Sequence, residues 1–252
     1  MTMDDNNLAR DLAAEAGRLL LGLRAAGADA SELRAAGDRQ SHEFLAGELA
    51  RLRPADAVLS EEGRDDPARL SAERVWIVDP LDGTREYGEP GRTDWAVHVA
   101  LCERGELTAG AVALPAQGKV LSTAEPPAPP RAPEPGRPIR VLASRTRPPA
   151  FLSRLAGQME LELIPMGSAG AKAAAVITGG ADAYLHSGGQ YEWDSAAPVA
   201  VAQAAGLHTS RLDGSPLAYN QPDPSLPDIL ICPAGLAGTL LDCLRAADCS
   251  AV

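Results

Sequence analysis

Residues 76–84 read WIVDPLDGT, an apolar run followed by two carboxylates three positions apart. The apolar residues predict a buried strand that delivers Asp79 at its end, and Pro80 forces the chain to turn there. Asp82 then returns to the side that Asp79 faces. We therefore expect the two carboxylates to converge on one point.

The residues around this pair can supply further polar groups. The carbonyl of Leu81 lies between the carboxylates, and Gly83 and Thr84 are predicted to present N–H groups at the start of a helix, where the dipole favours an anion. Carboxylate oxygens beside an anion-binding turn suit Mg²⁺ bridging to a phosphate. The alternative is a plain Asp/Pro/Gly turn that closes a strand, with Asp82 as the helix N-cap.

Two further segments place acids at the ends of predicted elements. Glu61 follows a short strand in SEE at 60–62, and Asp194 stands where a helix begins in YEWDSAA at 191–197. Taken singly, the first is a solvated acidic turn and the second a helix N-cap. Together with the pair above they make four carboxylates, which would repel one another strongly without cations.

The composition excludes several classes of protein. The 252 residues carry 34 acidic and 23 basic side chains, a formal charge of −11, and nine aromatic rings. A nucleic-acid binder normally needs a basic footprint, so we expect no nucleic acid as a partner. No run approaches the roughly 18 apolar residues of a membrane helix, and the acidic N-terminus lacks the pattern of a signal peptide. We expect a cytoplasmic protein with no membrane partner.

Hydrophobic spacing predicts two helices, then strands, then alternating elements. Helices are expected from Leu8 to Leu23, capped by Asn6 or Asn7, and from about Asp38 to Leu52. Strands are expected at 57–60, 75–78, 96–102 and 109–114, with a turn at 103–106. Later strands at 139–143, 161–165, 183–186 and 229–232 alternate with helices near 149–157, 168–178, 194–205 and 234–246, which indicates an α/β layer.

A proline-rich segment divides the chain. Seven of the thirteen residues from Pro126 to Pro138 are proline, so an extended surface connection is expected there. We take it as the boundary between an N-terminal α+β subdomain, residues 1–137, and a C-terminal α/β subdomain, residues 138–252. Most of the predicted metal ligands lie in the first subdomain, and Asp194 with substrate contacts lies in the second.

Taken together, the segments resemble the lithium-sensitive, magnesium-dependent inositol monophosphatase superfamily. The matching pieces are SEE at 60–62, WIVDPLDGT at 76–84, GS at 167–168, GGADAY at 179–184 and WDSAAPVAVAQAAG at 193–206. The resemblance implies a layered α-β-α-β-α sugar-phosphatase fold. It also implies about two or three Mg²⁺ ions per site, inhibition by lithium, and metal ligands at Glu61, Asp79, the Leu81 carbonyl, Asp82 and Asp194.

The resemblance implies further residue roles. Asp38, Glu61 and Thr84 would position or deprotonate the attacking water. Substrate contacts are implied for Leu81, Asp82, Gly83, Thr84, Arg85, Ser168 and Asp194. Lys172, Arg85, Arg145 and Glu192 are further candidates for substrate contact, but each is explained better as an ordinary surface residue. The four histidines, at 42, 98, 186 and 208, are scattered, and we expect each to be structural.

One part of the family pattern is missing. The family usually has a Lys-x-Asp loop before its second helix, whereas residues 31–38 read SELRAAGD. Only Asp38 matches the family's water-activating aspartate, and a helix N-cap is its alternative interpretation. The number of metal ions therefore stays open.

Within the superfamily, the sequence is more similar to the 3'(2'),5'-bisphosphate nucleotidase branch. The segments that carry this are VLSEE at 58–62, DPLDGTREY at 79–87 and DWAVHVAL at 94–101. The branch implies a phosphomonoesterase of sulfur metabolism that hydrolyses 3'-phosphoadenosine 5'-phosphate to adenosine 5'-phosphate. The alternatives are inositol phosphate or fructose 1,6-bisphosphate in the same site, or a non-catalytic metal- or phosphate-binding protein. Because the family often dimerises, a homodimer is an open expectation.

Overall fold

The computed structural model describes residues 4–27, 29–134 and 136–247. Within these ranges the chain forms seven α-helices and ten strands. The helices are α1 (Asp5–Ala25), α2 (Ala30–Leu52), α3 (Thr84–Gly88), α4 (Phe151–Leu155), α5 (Ala169–Ile177), α6 (Glu192–Ala204) and α7 (Ala234–Ala246). The strands are β1 (Ala57–Ser60), β2 (Arg74–Asp82), β3 (Ala96–Glu103), β4 (Glu106–Leu114), β5 (Lys119–Ser122), β6 (Ile139–Ser144), β7 (Leu161–Met166), β8 (Ala183–Tyr191), β9 (Leu207–Ser210) and β10 (Ser225–Pro233).

The strands form two sheets of five. The first has the order β1-β2-β3-β4-β5, with β1 parallel to β2 and the other neighbours antiparallel. The second has the order β7-β6-β8-β10-β9, in which β6 runs parallel to β7 and β8 and the remaining pairs are antiparallel. Each half of the chain thus contributes one mixed sheet.

Three cores stack the sheets and helices into layers. Helices α1 and α2 cover one face of the first sheet around Leu20, Leu45 and Trp76. Helices α4 and α7 cover the outer face of the second sheet around Phe151 and Leu240. The third core lies between the sheets, where α5 and α6 pack against residues of both. The order is α-β-α-β-α, which confirms the expected fold.

Most predicted elements are present, with corrections at their bounds. The second helix begins at Ala30, eight residues before the expected Asp38, because Asp29 caps it by accepting the N–H groups of Ser31 and Glu32. The first helix is capped by Asp4 and not by Asn6 or Asn7. Strands β5 and β9 were not predicted from the sequence. Both are four-residue strands, too short to show a clear period.

The described residues of the proline-rich segment form neither helix nor strand, as expected. No helix of the described residues is long and apolar enough to cross a membrane. The division into two subdomains stays a prediction.

Candidate active site

Strand β2 carries Asp79 and Asp82 into the space between the sheets. Ile77 lies in the core between the sheets, and side chains alternate along a strand, so Asp79 faces the same way. The pairing with β3 then shifts register between Asp79, which lies opposite His98, and Asp82, which lies opposite Ala96. The expectation that the strand ends at Asp79 was wrong. An irregularity within β2 returns Asp82 to the site, and β2 continues to Asp82.

Asp194 reaches the same space from the other half of the chain. It lies in the first turn of α6, where its Oδ2 accepts the N–H of Tyr191 at 2.7 Å. Tyr191 is the N-cap, so the interpretation of Asp194 as the N-cap was wrong. Asp79, Asp82 and Asp194 each offer one oxygen, and these oxygens all lie within 4.8 Å of one another. We call these three residues the carboxylate cluster.

The carboxylate cluster carries more negative charge than its surroundings offset. Burial and the charges of Glu61, Asp82 and Asp194 raise the pKa of Asp79 well above its ordinary value. Burial and the charge of Asp82 raise the pKa of Asp194 to about 6. Glu61 is solvent-exposed and is not one of the three clustered residues, yet desolvation of its carboxyl group and the charge of Asp194 raise its pKa to about 7. A bound cation would relieve this repulsion.

Asp82 is held differently from its neighbours. Its Oδ2 accepts the Ser168 hydroxyl at 2.5 Å and the Gly170 N–H at 2.6 Å, and its Oδ1 accepts the Ala169 N–H at 3.1 Å. Burial raises the pKa of Asp82, but the close contact with His98, together with the charge of Lys172 and the Ser168 hydroxyl, outweighs burial and lowers the pKa to about 2. Asp82 is therefore an ionised anchor at the start of α5.

Thr84, Asp38 and the Leu81 carbonyl meet beside the cluster. The Thr84 hydroxyl lies 3.2 Å from Oδ1 of Asp38 and 3.1 Å from the Leu81 carbonyl oxygen. Asp38 lies inside α2, which rules out its alternative interpretation as an N-cap. Burial, and then the charge of Glu62, raise its pKa to about 6. The carboxyl group of Asp38 can therefore take up or release a proton near neutral pH, and the Thr84 hydroxyl is its hydrogen-bond donor.

A cavity of about 260 Å³ opens beside the carboxylate cluster. Its walls include Gly83, Thr84 and Arg85 from the turn after β2, together with Ser168 and Lys172. Gly83 adopts φ +85°, and a Cβ there would lie 3.1 Å from Cβ of Ser168. Arg147, His186 and Gln190 also line the cavity, and the sequence did not single out these three as site residues.

Two of the candidates for substrate contact, Arg145 and Lys172, already donate hydrogen bonds within the protein. Arg145 lines the cavity but donates to Glu86 at 2.7 Å and to Glu89 at 2.9 Å, so acids already engage its guanidinium. Lys172 is 5% exposed, and its ammonium donates to the carbonyls of Gly167 and Ser168.

The other two candidates differ in whether they line the cavity. Glu192 lies outside the cavity lining and accepts the N–H groups of Asn220 and Gln221, which supports its structural interpretation. Arg85 is exposed and lines the cavity.

His98 is another residue of the site that the sequence did not assign to it. It is fully buried, and its Nε2 lies 3.3 Å from Oδ2 of Asp82. A signal was present, because His98 interrupts the apolar strand AVHVALC at 96–102. A polar side chain in the middle of a buried strand needs a partner.

Two mixed sheets with helices between and outside them, and a carboxylate cluster at the central layer, define the layered sugar-phosphatase class. The model of the inositol monophosphatase family matches residues 6–127 and 138–241. The 3'-phosphoadenosine 5'-phosphate phosphatase of Mycobacterium tuberculosis is 55% identical over 236 residues, which cover 90% of this chain and 88% of that protein. The 3'(2'),5'-bisphosphate nucleotidase CysQ of Escherichia coli is 35% identical over 206 residues, 76% of this chain and 81% of that protein.

Solved structures agree. The crystal structure of CysQ from Bacteroides thetaiotaomicron, a bacterial member of the inositol monophosphatase family, superposes with a TM-score of 0.78 at 26% identity, covering 90% of this chain and 96% of that one. The chain belongs to the inositol monophosphatase family. It is a hydrolase of the phosphatase type, as the sequence predicts.

Proposed function

We propose that this chain is a magnesium-dependent phosphomonoesterase that hydrolyses 3'-phosphoadenosine 5'-phosphate to adenosine 5'-phosphate and phosphate. The observation that carries the proposal is the carboxylate cluster, with three carboxylate oxygens within 4.8 Å of one another beside a cavity. The 55% identity to the 3'-phosphoadenosine 5'-phosphate phosphatase of Mycobacterium tuberculosis supports the choice of substrate.

The residues present fit a divalent cation. Asp79 and Asp82 are 1% and 6% exposed, and burial together with the charges of neighbouring carboxylates raises the pKa values of Asp79 and Asp194. Carboxylate oxygens are the ligands that Mg²⁺ prefers. Asp79, Asp82 and Asp194 would hold the ion, and Glu61 and the Leu81 carbonyl are the adjacent oxygens for a second or third one. Bound Mg²⁺ supplies Lewis-acid stabilisation of charge on the phosphate oxygens.

The chain's own residues would orient and deprotonate the water. The Thr84 hydroxyl, next to Asp38, can accept a hydrogen bond from a water on the cavity side while it donates to Oδ1 of Asp38. Asp38, with a pKa of about 6, can take the proton at neutral pH, and Glu61, with a pKa of about 7, is a second acceptor. The N–H groups of Gly83 and Thr84 would orient the phosphate that is cleaved.

Arg85 is proposed to hold the phosphate that is not cleaved. It is exposed and lines the cavity, whereas acids engage the guanidinium of Arg145. A charge-assisted contact of this kind is worth roughly 1.5 to 3 kcal/mol. The negative charge of the whole chain supports a small phosphorylated substrate over a nucleic acid. Lithium inhibition, a cytoplasmic location and a homodimer stay predictions.

The test is phosphate release by the purified protein with Mg²⁺. We expect the highest kcat/KM for 3'-phosphoadenosine 5'-phosphate, lower values for inositol 1-phosphate and fructose 1,6-bisphosphate, and accumulation of adenosine 5'-phosphate. A higher kcat/KM for inositol 1-phosphate would reject the nucleotidase assignment and leave the phosphatase assignment intact. No release above a metal-free control on any of the three would reject both and favour a binding protein.

A matched pair of variants tests the role of Arg85. Arg85→Gln should lower kcat/KM for the bisphosphate by about one to two decades and leave that for inositol 1-phosphate within a few-fold. Arg104→Gln removes an exposed arginine that pairs with Glu73 outside the cavity lining and should change neither. Equal losses on both substrates would show that Arg85 does not recognise the second phosphate.

A further inference from the structure

His98 is a buried polar side chain at the centre of the first sheet. Its neighbours Val97 and Val99 face α1 and α2, so alternation along β3 turns the ring toward the space between the sheets. The ring is 0% exposed. Its Nδ1 lies 3.0 Å from the carbonyl oxygen of Trp193, and its Nε2 lies 3.3 Å from Oδ2 of Asp82.

The two ring nitrogens are bound unequally. A carbonyl oxygen only accepts hydrogen bonds, so Nδ1 is the donor toward Trp193 and the plane of the ring is fixed from that side. Nε2 then faces Asp82, but among the described residues it has no well-aligned hydrogen-bond partner. A fully buried polar atom of this kind needs a structural or functional reason.

The surroundings are shaped to hold the ring against the carboxylate. A Cβ added at Gly170 would lie 2.0 Å from Nε2, so only glycine leaves room for the ring there. The N–H of the same Gly170 donates to Oδ2 of Asp82. The ring, the Gly170 N–H and the Ser168 hydroxyl thus surround one oxygen of Asp82 and leave its carboxylate little freedom.

The ring also joins two distant parts of the chain. Asp82 ends β2 in the first half, whereas Trp193 belongs to α6 and directly precedes Asp194. One side chain therefore contacts the segments that carry two of the three clustered carboxylates. Because these carboxylates repel one another, a rigid link between their segments opposes their separation.

We propose that His98 is a positioning residue that sets the spacing of Asp82 and Asp194 and thereby the affinity of the carboxylate cluster for a divalent cation. The inference rests on the metal-dependent function proposed above. Groups that orient metal ligands in this way typically change metal affinity 10- to 100-fold when they are removed.

Three substitutions separate the two contacts of the ring. His98→Leu removes both contacts, His98→Asn keeps an amide near the Nδ1 position, and His98→Gln keeps one near the Nε2 position. His208→Leu is the control, because His208 is half-buried on β9 and bonds the Ser210 hydroxyl. The readouts are the dissociation constant for Mg²⁺, measured by calorimetry without substrate, the rise in melting temperature on adding Mg²⁺, and kcat at saturating Mg²⁺.

We expect the dissociation constant for Mg²⁺ to rise about 10- to 100-fold in His98→Leu, less in the amide variants, and not in the control. Activity at saturating Mg²⁺ should recover to within a few-fold of wild type, because His98 is fully buried and does not line the cavity. If His98→Leu does not fold, His98→Asn decides. Wild-type Mg²⁺ affinity in folded His98→Leu, or in His98→Asn where the leucine variant does not fold, overturns the inference, whereas a wild-type protein that does not bind Mg²⁺ overturns the proposed function itself.

Discussion

At the scale of single residues, Asp82 is the position where one atom matters most. Asp82→Asn replaces a carboxylate oxygen with an amide that would face the N–H groups of Ala169 or Gly170, and it removes one charge from the cluster. We expect turnover to fall by several orders of magnitude with the circular dichroism spectrum unchanged. Asp213→Asn, on the exposed surface, is the control. Near wild-type turnover in Asp82→Asn would contradict the metal-site assignment.

Thr84 gives a second prediction at this scale. Thr84→Val removes the hydroxyl next to Asp38 and keeps the shape of the side chain. We expect kcat to fall about 10²- to 10⁴-fold, as for loss of general acid–base catalysis, with a much smaller change in KM. Thr178→Val removes a hydroxyl that bonds a helix carbonyl outside the cavity and should leave kcat unchanged. An unchanged kcat in Thr84→Val would remove Thr84 from the proposed proton path.

The residues that sequence could predict are those whose chemistry is visible in a local motif. Asp79, Asp82 and Thr84 stand within six residues of one another, so a turn is enough to bring them together. His98 could not be assigned to Asp82 because their contact depends on the register shift between β2 and β3. The sequence could not decide whether Arg145 contacts substrate or is an ordinary surface residue, because its ion pairs with Glu86 and Glu89 are visible only in the structure.

At the scale of elements, the turn between β2 and α3 depends on a glycine for two separable reasons. Gly83 adopts φ +85°, and a Cβ there would meet Ser168 at 3.1 Å and the Asp94 carbonyl at 3.2 Å. Gly91 adopts φ +76° with no atom within 4 Å of such a Cβ, so Gly91→Ala isolates the backbone cost of about 1 to 2 kcal/mol.

Gly83→Ala should therefore destabilise the protein more than Gly91→Ala does, and it should also lower activity because Ser168 and Thr84 shift. Urea unfolding and phosphate release measure the two effects. Equal losses of stability in the two variants would show that crowding at Ser168 is relieved without cost.

Helix α2 shows why bounds were harder to predict than elements. The sequence placed its start near Asp38 because the apolar residues at 44, 45, 49 and 52 carry the helical period. The first two turns from Ala30 are mostly polar or small, and only Asp29 as the N-cap marks the true start. That difference places Asp38 in mid-helix, where its carboxylate meets Thr84.

At the scale of the whole molecule, the carboxylate cluster should make stability depend on metal. A cation that binds only the folded state raises the melting temperature by mass action. Adding Mg²⁺ should therefore stabilise the wild type, and stabilise an Asp79→Asn, Asp82→Asn double variant much less. Equal shifts in differential scanning calorimetry would place the metal elsewhere.

Stability without metal should also depend on pH. Acids whose pKa is raised on folding bind protons more tightly when folded, so they favour the folded state as pH falls and oppose it above their folded pKa. Glu61, with a pKa of about 7, and Asp194, with about 6, act this way between about pH 8 and 5. Burial lowers the pKa of His186 to about 4, which acts in the opposite direction.

The variant Glu61→Gln isolates the contribution of the Glu61 carboxyl group to the pH dependence of stability. Without divalent ions, the wild type should lose melting temperature relative to Glu61→Gln as pH rises from about 5.5 to about 8, and saturating Mg²⁺ should shrink the difference. Parallel curves for the two proteins would show that Glu61 is not repelled by the cluster.

The order of the layers could be predicted only through the family resemblance. Periodicity located most strands and helices but not which faces pack together, because that depends on contacts between distant parts of the chain. The core between the sheets joins Ile77 and Val112 of the first half to Ile177 and Val199 of the second.

That shared core has a consequence for synthesis of the protein. A nascent chain that has emerged only as far as the proline-rich segment has made all five strands of the first sheet but lacks α5 and α6, which cover its inner face. Such an intermediate exposes apolar residues and open strand edges, the features that recruit chaperones or lead to aggregation. The carboxylate cluster cannot assemble until Asp194 has left the ribosome, so the partly made protein is both aggregation-prone and inactive.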